Sequence, residues 1–405
     1  MSFKTRVSVL LVSTPVLAFV LIGGLLGNQA AARGPVDDKF QKLRVFEDVV
    51  SLVMQTYVED VKVNAVMEGA MRGLAEGLDP DSAYLNAAQV KQAQAPLPAG
   101  DLGIELTRQF YLRVIATRDD SPAARAGLQT GDYVRAIDGK ATRDLTVFEG
   151  TRLLRGAPGS KVVLTIIRGN AAEPHEVALV REKSTAPAVT SKVLQDGIGY
   201  VRVPAFSPST AADLKRATTE LQNSGAKVLI VDVRRTAEGN IEDGIAAARL
   251  FVKSGTLTSK AGRAKDPKAE APKESIVAGA GDGAITLPVQ VLVTAGTSGA
   301  AEVFAAALNG NKRAELVGEH TIGRAAVQKL VPLQDNRGMW LTYARYLTPA
   351  GEPIHGKGLK PDVAVDEPDV DFGSTLPKSD PLLDAAIQRA RRPSEMLRHP
   401  IPGPR

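Results

Sequence analysis

The stretch Thr294-Ala295-Gly296-Thr297-Ser298-Gly299-Ala300-Ala301-Glu302-Val303-Phe304-Ala305-Ala306-Ala307-Leu308 follows an apolar run over 287–293. A β-branched run bounded by small residues predicts a buried strand, and the Ala-rich continuation predicts a helix. A strand that turns sharply into a helix is the repeating unit of a layered α/β domain. Such a turn can also present a side chain and leave backbone N–H groups aimed at developing charge, which is how a serine hydrolase joins a nucleophile to an oxyanion hole. Ser298 is therefore the first nucleophile candidate.

The alternation extends to both sides of this turn. Strands are expected at 199–203, 227–233, 289–294, 315–317 and 340–347, and helices at 209–223, 242–252 and 302–309. Between them, 259–283 is rich in Lys, Ala, Pro and Gly and is expected to be an exposed loop insertion. A last helix is expected over 380–391.

Upstream, over 101–183, the pattern changes to short β-like runs at 103–106, 111–115, 133–137, 161–167 and 176–180, with a helix at 146–154. Ser121 caps a short helix that has Pro122 at its first position, and Gly127, Gly131 and Asp138-Gly139 supply turns. Earlier still, Val45, Val49, Leu52 and Val53, then Val66, Ala70 and Leu74, recur at helical spacing. Two or three amphipathic helices are expected over 38–76, stopped at Gly77-Leu78-Asp79-Pro80. The Ala, Gln and Pro of 89–100 predict a connector.

With 405 residues, 44% of them hydrophobic and 23% charged, the chain has room for two or three domains with their own cores. A net charge of +5 without basic runs among aromatics gives no reason to expect a nucleic acid partner. The absence of cysteine removes disulfides, thiolate metal sites and a cysteine nucleophile. His175, His320, His355 and His399 stand apart from metal-ligand spacing, so neither a metal nor a cofactor is expected. At the N-terminus, Lys4 and Arg6 precede an uncharged run over 7–26 and the small residues Ala30, Ala31 and Ala32. This pattern fits a signal peptide and is long enough to span a bilayer. An extracytoplasmic location is expected, in the periplasm or cell envelope, with the protein either secreted or tethered to the membrane.

The segment 99–183 resembles a PDZ domain through Ser121-Pro122-Ala123, Ala126-Gly127-Leu128, Gly131-Asp132 and Ile137-Asp138-Gly139. In that family the loop before the second strand receives a peptide C-terminus on backbone N–H groups, and the strand edge pairs with the peptide. The matching loop is Gly100-Asp101-Leu102-Gly103-Ile104, so Gly100, Leu102, Gly103 and Ile104 are the expected peptide-binding residues. Asp101 places a carboxylate beside them.

The chain as a whole is similar to the C-terminal processing peptidases, also called tail-specific serine proteases. The marks are Gly77-Leu78-Asp79-Pro80-Asp81-Ser82-Ala83-Tyr84-Leu85, Ile198-Gly199-Tyr200-Val201-Arg202-Val203, Ile230-Val231-Asp232-Val233-Arg234, Val317-Gly318-Glu319-His320-Thr321-Ile322-Gly323 with Gln328, Leu347-Thr348-Pro349-Ala350-Gly351, and Ile354-His355-Gly356-Lys357-Gly358-Leu359-Lys360-Pro361-Asp362-Val363. The resemblance implies an α+β multidomain chain: a signal or anchor (1–33), an N-terminal helical segment (34–98), a PDZ β-module (99–183), a split α/β (ClpP/crotonase-like) protease core (184–370) and a C-terminal helix and tail (371–405).

Active relatives use a serine and a lysine of lowered pKa, oriented by a glutamine. The resemblance places the serine three residues before the glutamate that opens the helix. In this chain that glutamate is Glu302, so the position is Gly299. The lysine position, after Thr321-Ile322-Gly323, is Arg324, and the glutamine is Gln328. A guanidinium stays protonated at physiological pH and cannot act as a base. Where relatives carry Asn-Asn-Pro-Gly-Gly, this chain has Arg235-Thr236-Ala237-Glu238-Gly239, which leaves Gly239 in the oxyanion region beside a carboxylate.

Two functions follow. One is a protein without the Ser/Lys dyad that binds polypeptide C-termini through its PDZ domain, with an active protease or other envelope proteins as partners. The other is a working endopeptidase with Ser298 as a displaced nucleophile and Lys312, Lys329 or Lys357 as its base. Ser298 also has a structural reading, as part of the helix N-cap with Thr297. A third possibility is a cleft reused for a small anion through Arg324 and Arg235.

Overall fold

The computed structural model describes residues 36–169, 173–184, 187–264, 270–374, 377 and 379–391, so the segment expected to be an N-terminal signal or anchor lies outside the described residues. The chain divides into two compact units, one ending at Ala70 and the other beginning at Met71. Helix α1 (Val36–Thr56) and helix α2 (Val63–Glu76) bear out the expected helical segment, although Val45, Val49 and Leu52 remain exposed. No described helix is long and apolar enough to cross a membrane.

After α2 comes a short strand, β1 (Ala83–Leu85), and then α3 (Ala87–Gln94) where a connector was expected. Asn86 explains that helix. Its side chain accepts from the Gln89 N–H while the Gln89 side chain accepts from the Asn86 N–H, a capping box that offsets a weak apolar pattern.

The β-module comprises β2 (Gly100–Asp101), β3 (Ile104–Gln109), β4 (Tyr111–Thr117), α4 (Pro122–Arg125), β5 (Tyr133–Ile137), β6 (Lys140–Ala141), α5 (Val147–Leu154), β7 (Lys161–Ile167), β8 (His175–Val180) and β9 (Glu182–Lys183). Ser121 caps α4 and Thr146 caps α5, both by accepting a backbone N–H three residues on. The main sheet runs β3-β4-β5-β7-β8 around a separate core that includes Leu106, Leu112, Val134 and Leu164. Strand β3 lies at its edge, beside α5.

The remaining chain supplies β10 (Thr190–Val193), β11 (Ile198–Arg202), α6 (Thr210–Asn223), β12 (Val228–Asp232), α7 (Ile241–Arg249), β13 (Thr256–Gly262), β14 (Lys273–Val277), β15 (Val289–Val293), α8 (Ala300–Gly310), β16 (Ala314–Gly318), β17 (Ala326–Pro332), β18 (Gly338–Leu347), β19 (Val363–Ala364) and α9 (Pro381–Ala390). Strands β11, β12, β15, β16 and β19 are parallel in that spatial order, with β10 antiparallel on the edge. Fully buried Val and Leu side chains line β12 and β15, as a parallel sheet covered on both faces requires. On one face lie residues of α6, α7 and α8, including Leu214, Ile245 and Phe304; on the other lie Ala386 and Ala390 of α9.

The expected loop over 259–283 is a correction. Strands β13 and β14 pair as an antiparallel ladder, and β13 pairs with β18 in a second sheet ordered β1-β18-β13-β14, with β17 also on β18. Composition hid the strand period because β14 is largely exposed.

Candidate active site

The turn between β15 and α8 is stitched to the exit of β12. Thr297 donates its hydroxyl to the Val233 carbonyl at 2.9 Å and accepts from the Thr294 N–H at 3.0 Å, while the Ser298 N–H donates to the Thr236 carbonyl at 3.0 Å. Gly296 is demanded by space: a Cβ there would lie 2.9 Å from the Ile115 carbonyl oxygen and 3.0 Å from the Arg235 Cα. Gly299 is demanded by conformation, since it is the N-cap of α8 with φ 59° and ψ −112°, where an L side chain is strained. Space is not its constraint, because beyond its own turn the nearest described atom a Cβ would meet is the Arg324 carbonyl oxygen at 3.9 Å.

Ser298 has the turn role and not the capping one: the N-cap is Gly299, whose N–H donates to Glu302 of the first helical turn. Ser298 lies one residue before the helix and is 3% exposed. Thr297 does brace the turn as expected, but by tying β12 to β15.

Glu302, fully buried in the first turn of α8, joins this turn to the loop before β17. Its carboxylate accepts from Gly299 N at 3.1 Å, Gly323 N at 2.6 Å, Arg324 N at 2.7 Å and the Thr321 hydroxyl at 2.5 Å. Burial pushes its pKa upward, and these hydrogen bonds partly offset that rise. Sequence reasoning used Glu302 only to set the frame; its role as the hub was not visible.

Arg324 is brought beside Gly299 through this hub, yet its guanidinium turns toward Asp81. Nε lies 3.0 Å from Oδ2 and Nη2 lies 2.6 Å from Oδ1, with Glu105 more distant at 3.8 Å. Burial alone would lower the Arg324 pKa, but the charge and hydrogen bond of Asp81 hold it above the ordinary arginine value. Asp81 is placed by local chemistry: the Asp79 carboxylate accepts from the Asp81 and Ser82 N–H groups, and β1 pairs with β18. The sequence signal was an acid with no assigned partner in the stretch 77–85.

Gln328 does not meet Arg324 in a hydrogen bond. It accepts from Trp340 Nε1 at 2.9 Å and donates to Thr342 at 3.3 Å across the β17–β18 pair. The three lysines considered as bases have other places. Lys329 lies over the Tyr343 ring, and Lys357 pairs with Glu352 at the surface. Lys312 follows the far end of α8 from Ser298, about 16 Å away along eleven residues of helix. His320 faces the Thr321 carbonyl and packs on Gly358, whose Cβ would strike its ring.

In the oxyanion region, Gly239 is exposed with φ 128°, and its backbone is so close to Phe206 that a Cβ would lie 2.1 Å from the Phe206 carbonyl oxygen. The neighbouring Glu238 carboxylate reaches 3.4 Å from Arg118. That arginine also grips Asp101 in a fork of 2.7 and 3.2 Å, and Arg155 adds a contact of 3.2 Å. Burial opposes ionisation of Asp101, but the hydrogen bond and charge of Arg118, with Arg155, hold its pKa below the usual carboxylate range.

The loop expected to receive a peptide is consequently engaged with itself. The Gly103 N–H donates to Asp101 Oδ1 at 3.0 Å, and the Gly100 N–H donates to the Gly156 carbonyl at 3.0 Å. Leu102 is buried in the module core, and Ile104 begins β3, paired to Thr117. Of the four residues expected to receive a C-terminus, Gly100 is thus committed to the backbone. Gly103 is committed to the Asp101 side chain. Arg118, Arg155 and Asp101 form the charged part of this site, which sequence spacing did not bring together. A cleft there is lined by Gly103, Glu105, Arg155, Arg235 and Glu238, joining the β-module to the core.

The family model described as peptidase family S41 matches residues 197–365, and that of a PDZ domain matches 113–168. The chain is 32% identical to the carboxy-terminal-processing protease of Bartonella bacilliformis, over 81% of this chain and 76% of that one. It is 31% identical to carboxy-terminal processing protease CtpA of Bacillus subtilis, over 85% and 72% of the two chains. Among solved structures it is similar to the photosystem II D1 C-terminal processing protease, with a TM-score of 0.64 and 28% identity, covering 79% of this chain and 92% of that chain.

Proposed function

Because the chain belongs to the C-terminal processing proteases of peptidase family S41 and carries a PDZ domain, we propose that it is a catalytically silent member that binds polypeptide C-termini. The observation that carries this reading is Gly299, a residue without a side chain at the β15–α8 turn, hydrogen-bonded to the same carboxylate as Arg324. A peptide bond is attacked by a nucleophile whose proton a base removes. Neither group is available from Gly299 and Arg324.

Binding rests on different parts. Strand β3 offers an edge for an extended peptide, and Arg118 and Arg155 offer charge for its terminal carboxylate once Asp101 is displaced. The positively charged start and the uncharged run over 7–26 support action outside the cytoplasm, in the periplasm or envelope, released or tethered. There the protein would guide polypeptides to an active protease or compete with one for them.

The experiment is cleavage of an unfolded protein substrate by chain lacking residues before Gly34, alongside Ser298→Ala. No cleavage by either is expected. Cleavage that Ser298→Ala abolishes would sink the silent reading in favour of a displaced nucleophile.

A further inference from the structure

A second cleft, which shares Arg235 with the first, lies at the carboxyl ends of β11 and β12 against the edge strand β10. It encloses roughly 410 Å³ and is lined by the cations Lys192, Arg202, Arg234 and Arg235 and the carboxylates Asp119 and Asp232, with Thr190, Ser191 and Tyr200 between them. Two of its four cations are already neutralised. Arg202 forks onto Asp119 at 2.9 and 3.0 Å, and Arg234 holds Asp232 at 2.7 Å and Asp380 at 2.8 Å. The buried Asp232 also accepts from the Tyr200 hydroxyl at 2.7 Å, so that proton is committed inside the wall.

Lys192 and Arg235 are not neutralised. Neither has a carboxylate within 4.0 Å among the described residues; Lys192 instead lies over the Tyr200 ring, and Glu367 acts on Arg235 only at longer range. Arg235 is held with φ 52°, a left-handed conformation that costs a non-glycine residue about 1–3 kcal/mol. Strain retained at a side chain that faces two clefts is the pattern of a functional position. Thr190, on the same face of β10 as Lys192, adds a neutral donor.

We infer that this cleft binds a phosphate dianion, free or carried as a phosphate monoester, between Arg235 and Lys192. A dianion matches two unpaired cations, and Arg235 can present two parallel N–H groups to it. The inference is independent of whether the chain cleaves peptides.

The test is calorimetric titration of the full chain, at fixed ionic strength, with inorganic phosphate and separately with a phosphoserine peptide. Saturable 1:1 binding of either is expected, weakened about tenfold or more by Arg235→Gly and by Lys192→Gln. The glycine variant should fold at least as well as the parent, because φ 52° suits glycine. Tighter binding of inorganic phosphate would identify the free ion as the ligand, and tighter binding of the peptide would identify the ester. Failure of both probes to saturate, or saturation unaltered by both substitutions, would overturn the inference.

Discussion

Arg324 and Asp81 form a two-pronged ion pair, with Nε 3.0 Å from Oδ2 and Nη2 2.6 Å from Oδ1. Asp81 is mostly buried and Arg324 only partly exposed, so the pair ties the stretch before β1 to the loop before β17. Removing the arginine leaves a buried carboxylate without its counter-charge. Arg324→Ala should lower unfolding stability by on the order of 2–3 kcal/mol in urea titrations. A double-mutant cycle with Asp81→Ala should recover part of that loss.

The same pair changes what a repair of the serine and lysine would require. A lysine at 324 facing Asp81 would be held protonated, the wrong state for a base. Gly299→Ser with Arg324→Lys should therefore remain inactive toward unfolded protein, and any turnover should need Asp81→Ala as well. Equal turnover by the double and triple variants would show that Asp81 has no such influence.

The serine at 299 carries its own cost. With φ 59° the substitution should destabilise by about 1–3 kcal/mol, without steric collision. Gly296→Ala should cost more, because its Cβ meets backbone atoms at 2.9 and 3.0 Å. Paired urea melts give the ranking.

Asp101 competes with any incoming carboxylate for Gly103, Arg118 and Arg155. Asp101→Ala should tighten binding of a peptide with a free C-terminus about tenfold, near 1.4 kcal/mol, and leave its amidated form unchanged. Fluorescence anisotropy with the two peptides measures both.

Asp101 also sets a pH dependence of stability. Its folded pKa lies below its unfolded value of 3.8. The stabilisation from its ion pairs is therefore present in full above that value and is lost as pH falls through the lower folded one. The difference in urea midpoint between wild type and Asp101→Asn should be constant near neutrality and close below pH 3.8.

Much of this molecule was legible because its periods are local. The apolar runs of β12 and β15, the Ala-rich α8 and the capped helices α4 and α5 follow from neighbours within a few residues. The β13–β14 hairpin was not legible, since β13 is held by a ladder to β18 more than eighty residues away and β14 pairs with β13 alone. For the same reason the sequence named Gly299, Arg324 and Gln328 but not their contacts. Asp81 reaches Arg324 only because β1 and β17 share β18, and Gln328 is spent on Trp340 of that strand. The Asp101–Arg118–Glu238 chain likewise needs the β-module and the core to be set side by side.

We propose that the β15–α8 turn carries no working nucleophile while the PDZ loop binds a peptide C-terminus. It is tested most directly by mass spectrometry of a free-C-terminus peptide incubated with equimolar chain at concentrations where binding saturates. An unchanged peptide mass is expected at every time point. Shortened products that disappear with Ser298→Ala would contradict it.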